Sequence, residues 1–124
     1  EIIGLGAAVA YVNSLNREAL NLEEQSLIKS TLDALSGIPR IELIGEPAER
    51  LSVISFNIEG AHPHDVGQLL DQQGVAVRTG HHCTMPLMSR LNIPGTVRAS
   101  FSFYSNQEDS RRLIEAVEKA TDLL

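Results

Sequence analysis

The sequence predicts one α/β domain of the two-layer (α+β) kind, a small and mostly antiparallel sheet with helices packed on one face. Segments with helical apolar periodicity alternate along the chain with short runs of period-two alternation, and turn residues separate them. A length of 124 residues with 43% hydrophobic content is enough for one core and too little for two ordinary domains. We therefore expect residues 1–124 to form a single domain.

Two helices are predicted in the first third of the chain. The opening EIIGLGAAVAYV predicts a helix that is apolar around most of its circumference, so it needs covering on several sides and, left uncovered, would favour self-association. The segment NLEEQSLIKSTLDALSG predicts a second helix. Asn21 lies three residues before Glu24, the spacing of a capping box, and Gly37 is placed to end the helix.

The middle of the chain predicts a pair of strands, a helix and a third strand. RIELIG and LSVISFNIEG alternate with period two and predict neighbouring strands of a hairpin-like pair, with Ile54, Phe56 and Ile58 on one side. In HPHDVGQLLDQQG, Pro63 suits the first turn of a helix and Gly74 its end. The run VAVR, residues 75–78, then predicts a third strand.

The last third predicts a short helix, a strand and a closing helix. A loop and short helix, MPLMSRLNIPG, lead to the strand TVRASFSFY, whose alternation directs Arg98 away from the core and directs Val97, Ala99, Phe101 and Phe103 towards it. Ser105 and Glu108 repeat the capping-box spacing before an amphipathic closing helix.

Charge and cysteine content limit the partners and the compartment. Ten basic and 16 acidic residues give a formal net charge of −6, which opposes binding to nucleic acid. A single cysteine forms no internal disulfide, which suits a reducing compartment. The apolar opening is too short to cross a membrane and lacks the pattern of a signal peptide. We expect a cytoplasmic protein without a membrane or nucleic-acid partner.

The stretch VAVRTGHHCTMP contains the candidate reactive group, Cys83. Its turn-like, polar surroundings are unlike the apolar run in which a structural cysteine is usually buried. Arg78 and Arg98 leave neighbouring strands, so they and Cys83 would converge on one anion-binding site, where positive charge favours a thiolate. The local sequence leaves both interpretations open, a reactive thiol and an inert buried cysteine.

A metal site is the other chemistry that these residues raise. The four histidines fall in two pairs, His62 with His64 and His81 with His82. The chain has no C-x-x-C motif, and three adjacent residues cannot easily direct their donor atoms to one point. We expect no metal site.

Taken together, GVAVRTGHHCTMPLM and GTVRASFSFYSNQED resemble the C-terminal segment of cysteine desulfurases of the SufS and CsdA type, also described as selenocysteine lyases, in the class V aminotransferase superfamily. The similarity extends through HPHDVGQLLDQQG back to the opening helix. The resemblance implies the small domain of a fold-type I pyridoxal phosphate enzyme, which removes sulfur from L-cysteine, releases L-alanine and leaves a persulfide for iron–sulfur cluster assembly. It also implies a homodimer and an acceptor protein of the SufE or SufU kind.

The resemblance assigns roles residue by residue. Cys83 matches the cysteine that accepts sulfur, in the group with a short, ordered active-site loop, and Arg98 matches the arginine that holds the substrate carboxylate. Arg78 and His82 match positions that line the site, whereas for His81 a role in loop structure is favoured.

This chain differs from the resembled family in lacking a lysine placed to hold the cofactor. Pyridoxal phosphate is held by a lysine, and the two lysines of this chain, Lys29 and Lys119, fall in predicted amphipathic helices. We therefore expect no cofactor and no desulfuration by these 124 residues alone, with the cofactor-binding large domain absent from them. A sulfur-carrier or interaction module without catalysis, and a purely structural domain, remain the alternatives.

Overall fold

A four-stranded antiparallel sheet forms the centre of the computed structural model, which describes residues 1–124. The strands are β1 (Ile41–Leu43), β2 (Val53–Ile58), β3 (Arg78–Gly80) and β4 (Thr96–Ser100). Their spatial order is β1-β2-β4-β3, so the two longest strands are the central ones. The predicted neighbouring pair is confirmed, because β1 and β2 are antiparallel.

Five helices accompany the sheet: α1 (Ile2–Ser14), α2 (Arg17–Ser36), α3 (Pro63–Gln72), α4 (Met85–Leu91) and α5 (Gln107–Leu123). Apolar residues of α2, α3 and α5 join those of the sheet in one cluster of 14 buried side chains. The strands supply one face of their alternating pattern to this cluster, namely Ile54, Phe56, Ile58, Val97 and Ala99. The predicted two-layer fold, with helices on one face, is therefore confirmed.

The other face of the sheet carries no helix of this core and is called the open face below. Alternation places Ser55, Asn57, Thr96, Arg98 and Arg78 on it. The core-facing positions of β2 and β4 are thus apolar, and the positions that alternate with them are polar except for Val53. This division fixes which side chains are available for a site.

Two glycines allow close approaches around β3. A Cβ at Gly67, on α3, would lie 2.4 Å from Thr79 Cγ2, so only glycine lets this helix pack on that strand. A Cβ at Gly95 would lie 2.7 Å from the backbone carbon of Gly80. The chain entering β4 therefore touches the last residue of β3 directly.

Two predicted helix starts are wrong. α2 begins earlier than predicted, since the Asn16 side chain accepts from Ala19 N at 3.3 Å and Asn21 lies inside the helix. α5 is capped by Asn106, whose side chain and that of Asp109 form the reciprocal capping box. In both places a second residue with capping chemistry stood nearby, and the spacing alone favoured the wrong one.

The predicted strand VAVR is also placed too early, since β3 begins only at Arg78. The backbone N–H of Val75 donates to Leu70 O at 3.0 Å and that of Gly74 donates to Asp71 O at 2.9 Å, which together form a Schellman cap of α3. These N–H groups are therefore committed to the helix end. A cavity of about 570 Å³ separates this segment from the end of β4.

The strand predicted for TVRASFSFY ends at Ser100, so Phe101 and Phe103 lie beyond it. Phe101 still packs at the edge of the core, whereas Phe103 is exposed and contacts the Tyr11 ring of α1 at a centroid distance of 6.5 Å. The helix α1 itself buries none of its residues. No helix is long and apolar enough to span a bilayer.

Candidate active site on the open face

Two arginines stand directly opposite each other on the open face. Arg78 of β3 and Arg98 of β4 are register partners, and Ser55 of β2 is the partner of Arg98 on its other side. Like charges in directly opposed positions destabilise a sheet. Neither arginine forms an ion pair within the chain, because the salt bridges join only arginines and glutamates of α5. The pair therefore forms an uncompensated positive patch suited to an anion.

The exposed Cys83 lies on the tight turn that follows β3, the strand that begins with Arg78. The Thr84 N–H donates to His81 O at 2.8 Å, and both central residues, His82 and Cys83, have positive φ values of 53° and 61°. Two positive φ values in succession are the signature of a type I′ turn. Non-glycine residues adopt this conformation at a cost of about 1–3 kcal/mol each. Such strain is typical of functional positions, where the surrounding structure imposes it.

His81 holds this turn from within. Its Nδ1 accepts a hydrogen bond from the Cys83 N–H at 3.0 Å, and its carbonyl accepts one from Thr84 Oγ1 at 2.7 Å. The interpretation of His81 as a residue of loop structure agrees with these contacts. The His81 Nδ1 is thus hydrogen-bonded to the backbone amide of Cys83 and not to its thiol.

His82 instead reaches across to β4. Its Nε2 lies 2.9 Å from Thr96 Oγ1 and 3.2 Å from the Thr96 carbonyl oxygen. A carbonyl oxygen only accepts hydrogen bonds, so this contact favours the tautomer with the proton on Nε2. Thr96 is 2% exposed, which makes it a fixed partner.

The pKa of His82 is lowered from its ordinary value. Burial of the ring is the largest cause, and the positive charges of Arg98 and Arg78 lower it further, whereas the hydrogen bond to Thr96 opposes the change. His82 is therefore neutral at pH 7. The effect of both arginines on its pKa also places the imidazole in the field of the arginine pair.

Three buried side-chain atoms have no hydrogen-bond partner in the chain, and all belong to the open face or its adjoining turn. They are Asn57 Oδ1, His82 Nδ1 and Arg98 Nε. Buried polar groups are normally paired, and unpaired ones mark a functional site or a bound molecule. Asn57 also donates from Nδ2 to Gly95 O at 3.0 Å, so one end of its amide is held and the other is free.

The structure places three of the four residues singled out from the sequence near one another, and Cys83 on the exposed turn that follows β3. Arg78 and Arg98 are paired across two strands, His82 lies in their field, and Cys83 follows His82 on the turn. Guanidinium groups without an acidic partner can bind a carboxylate, and an exposed thiol can act as a nucleophile. Sequence reasoning missed Thr96 and Asn57, although the alternation that exposed Arg98 puts Thr96 on the same face.

No residue near this site can hold pyridoxal phosphate as a Schiff base. Lys29 and Lys119 are exposed on α2 and α5, which cover the opposite face of the sheet. No three side chains of the histidine, cysteine, aspartate or glutamate type converge to hold a metal ion. The residues present on the open face therefore do not fit this cofactor.

The fold and the site define a two-layer α/β domain with an unpaired arginine pair on its open face and an exposed cysteine on the turn after β3. The sequence matches the aminotransferase class-V family over residues 1–113. The chain belongs to this family.

Individual relatives are cysteine desulfurases. The cysteine desulfurase of Serratia proteamaculans (strain 568) is 47% identical over 123 residues, which cover 99% of this chain and 30% of that protein. The chain therefore spans about 30% of the length of the curated relatives that it matches.

Two solved structures have the same fold. The cysteine desulfurase CsdA of Escherichia coli, in an S-sulfonic acid form, superposes with a TM-score of 0.91 at 32% identity, covering 99% of this chain and 30% of that one. The apo cysteine desulfurase of Thermococcus onnurineus NA1 gives a TM-score of 0.90 at 35% identity, covering 98% of this chain and 31% of that one.

Proposed function

We propose that residues 1–124 are the small domain of a cysteine desulfurase, which converts L-cysteine to L-alanine and retains the sulfur as a persulfide on Cys83. The observation that carries the proposal is an exposed cysteine on a strained turn directly after β3, the strand whose Arg78 is paired with Arg98 without any acidic partner. The identity of 47% with a cysteine desulfurase over nearly the whole chain supports it.

Arg98 is assigned to the substrate carboxylate. It is half-buried and forms no ion pair with an acidic side chain. On the sheet it lies between its two register partners, Ser55 of β2 and Arg78 of β3. A guanidinium presents two parallel N–H donors that match the two oxygens of a carboxylate. Arg78 and His82 line the site, where Arg78 adds positive charge and neutral His82 adds none.

Cys83 is assigned to the sulfur transfer. Its thiolate attacks the sulfur of the bound cysteine, the bond between that sulfur and its carbon breaks, and the carbon takes up a proton to give alanine. The sulfur is oxidised as it becomes the outer atom of the persulfide and the carbon is reduced. One cysteine and one thiol therefore yield one alanine and one persulfide, without an external oxidant.

The proposal assigns the cofactor and the partners to the whole protein. Pyridoxal phosphate, which supplies electron withdrawal at the substrate when bound, would be held by a large domain outside these 124 residues. We further propose that the whole protein is a cytoplasmic homodimer that passes its sulfur to an acceptor protein of the SufE or SufU kind. The sulfur would supply iron–sulfur clusters, and the protein would also act on selenocysteine.

A sulfur carrier without catalysis is the second candidate, favoured for these residues alone because neither lysine lies near Cys83. The test is a full-length enzyme that contains this segment, compared with its Cys83→Ala variant. We expect L-cysteine to produce a persulfide, located on Cys83 by mass spectrometry, and the variant to lose it while retaining cofactor absorbance. A persulfide that persists on the variant protein contradicts the assignment. Persulfide on Cys83 only when another protein donates it, with no alanine formed, supports the carrier.

A further inference from the structure

The turn that carries Cys83 has one hydrogen-bonded attachment to the rest of the fold. Within residues 81–84, the bonds of His81, Cys83 and Thr84 all stay inside the turn or lead into α4. The bonds between His82 Nε2 and Thr96 are the exception, and they cross from the turn to the central strand β4.

The strain in the turn makes this attachment important. His82 and Cys83 both have positive φ, a conformation that a non-glycine residue keeps only when its surroundings impose it. Bonds internal to the turn move with it and cannot fix its position relative to Arg98. Thr96 can, because it is buried and lies two residues before Arg98 on the same strand and the same face.

We propose that Thr96 is a positioning residue for Cys83, acting through His82. Thr96 holds the Nε2–H of His82, His82 holds the turn in its left-handed conformation, and the turn holds the thiol at a fixed place beside Arg98. This inference rests on the proposed function, since it assigns the geometry of the nucleophile relative to the bound carboxylate. The unpaired, buried Nδ1 of His82 agrees with a neutral ring that is held from Nε2 alone.

The test uses the full-length enzyme with two variants that act on the attachment from opposite ends. Thr96→Val keeps the shape of the side chain and removes its hydroxyl group, so the 2.9 Å contact is lost and the Thr96 carbonyl oxygen at 3.2 Å remains as the acceptor. His82→Asn keeps a residue that tolerates positive φ but is too short to reach β4. Thr96→Ser and His82→Gln retain the hydroxyl and the donor, respectively, and serve as conservative variants.

Thr31→Val is the matched control for loss of a buried threonine hydroxyl. Thr31 is fully buried, and its hydroxyl bonds to Leu27 O and to Ser110 Oγ between α2 and α5, away from the turn. This control separates a general loss of stability from a change at Cys83.

The first measurement is hydrogen exchange of peptides that contain the amides of Cys83 and Thr84, which requires no catalysis. We expect exchange to increase about tenfold in His82→Asn, which removes both contacts, because loss of a hydrogen bond shifts the opening equilibrium by about that factor. Thr96→Val, which keeps the carbonyl contact, should give a smaller increase in the same direction. The conservative variants and Thr31→Val should exchange there as the wild type does.

The second measurement is steady-state alanine release. We expect kcat to fall about tenfold in His82→Asn and by a smaller factor in Thr96→Val, with KM for L-cysteine within about twofold, because Arg98 is untouched and the thiol is displaced. The double variant should lose no more than His82→Asn alone, since that variant already removes both contacts.

Unchanged exchange and unchanged kcat in both disrupting variants overturn the inference. So does a decrease in melting temperature equal to that of Thr31→Val with no local change at the turn. If the wild-type enzyme forms no alanine but the exchange pattern is as expected, the proposed desulfurase fails and the attachment stands.

Discussion

Replacement of Arg98 separates the assigned carboxylate site from an ordinary surface arginine. Arg98 has no acidic partner in the chain and faces Arg78 directly, so Arg98→Ala removes no ion pair and relieves a repulsion. We therefore expect the melting temperature to be unchanged or slightly raised. This expectation is the reverse of what truncation of a half-buried residue usually causes.

The same replacement should greatly reduce catalysis in the full-length enzyme. A charge-assisted hydrogen bond is worth about 1.5–3 kcal/mol, so loss of the guanidinium should lower kcat/KM for L-cysteine by a factor of about ten to several hundred. Arg98→Lys should recover only part of the loss, because an ammonium group keeps the charge without the planar pair of donors.

The assay is alanine release at several L-cysteine concentrations, with cofactor absorbance recorded for each variant. Arg90→Ala provides the matched control, since Arg90 is exposed at the end of α4 and makes no salt bridge. A near-normal kcat/KM in Arg98→Ala, with the control also normal, refutes the carboxylate assignment.

Three further outcomes test the cofactor, the packing and the electrostatics of the domain. The 124-residue chain mixed with pyridoxal phosphate and L-cysteine should give no stoichiometric aldimine absorbance and no alanine above a buffer control, and sustained alanine formation would contradict the absence of a cofactor lysine. Gly67→Ala should destabilise the domain by about 1–3 kcal/mol in denaturant unfolding, because the new Cβ would overlap Thr79, and an unchanged midpoint would contradict that contact. Arg111 and Arg112 lower the pKa of Glu108 to about 2 from 4.5, so its contribution to stability is present above pH 4.5 and is lost as the pH falls towards 2. In low salt, Glu108→Gln should reduce the slope of unfolding free energy against pH in this range. The reduction is small because the ion pairs are exposed. An equal slope in the variant and the wild type would contradict the effect.

The layers of the fold were predictable because period and composition agree in the central elements. Ile54, Phe56 and Ile58 alternate strictly with polar residues, and the strand they form has its predicted core face. The direction of Arg98 followed from the same rule. Where two local signals competed, the sequence could not decide between them, as at Asn16 and Asn21, both of which can cap a helix.

The parts that were not predictable depend on contacts between distant segments. Val75 has strand-forming character, yet its N–H is taken by the cap of α3, so the strand starts later. The bond from His82 to Thr96 spans 14 positions and exists only because β3 and β4 pair. Local sequence therefore indicated which residues are candidates for the site, but not what holds them in place.

The positive φ of Cys83 also limits which nucleophiles evolution can sample at this position. Glycine, asparagine and aspartate adopt a left-handed backbone most readily, and none of them supplies a thiol or hydroxyl nucleophile. β-Branched residues are genuine outliers there, so threonine, which serves as a nucleophile elsewhere, is closed to this turn unless the backbone itself is rebuilt. Of serine and threonine, only serine supplies a hydroxyl nucleophile without a β-branched side chain at this position.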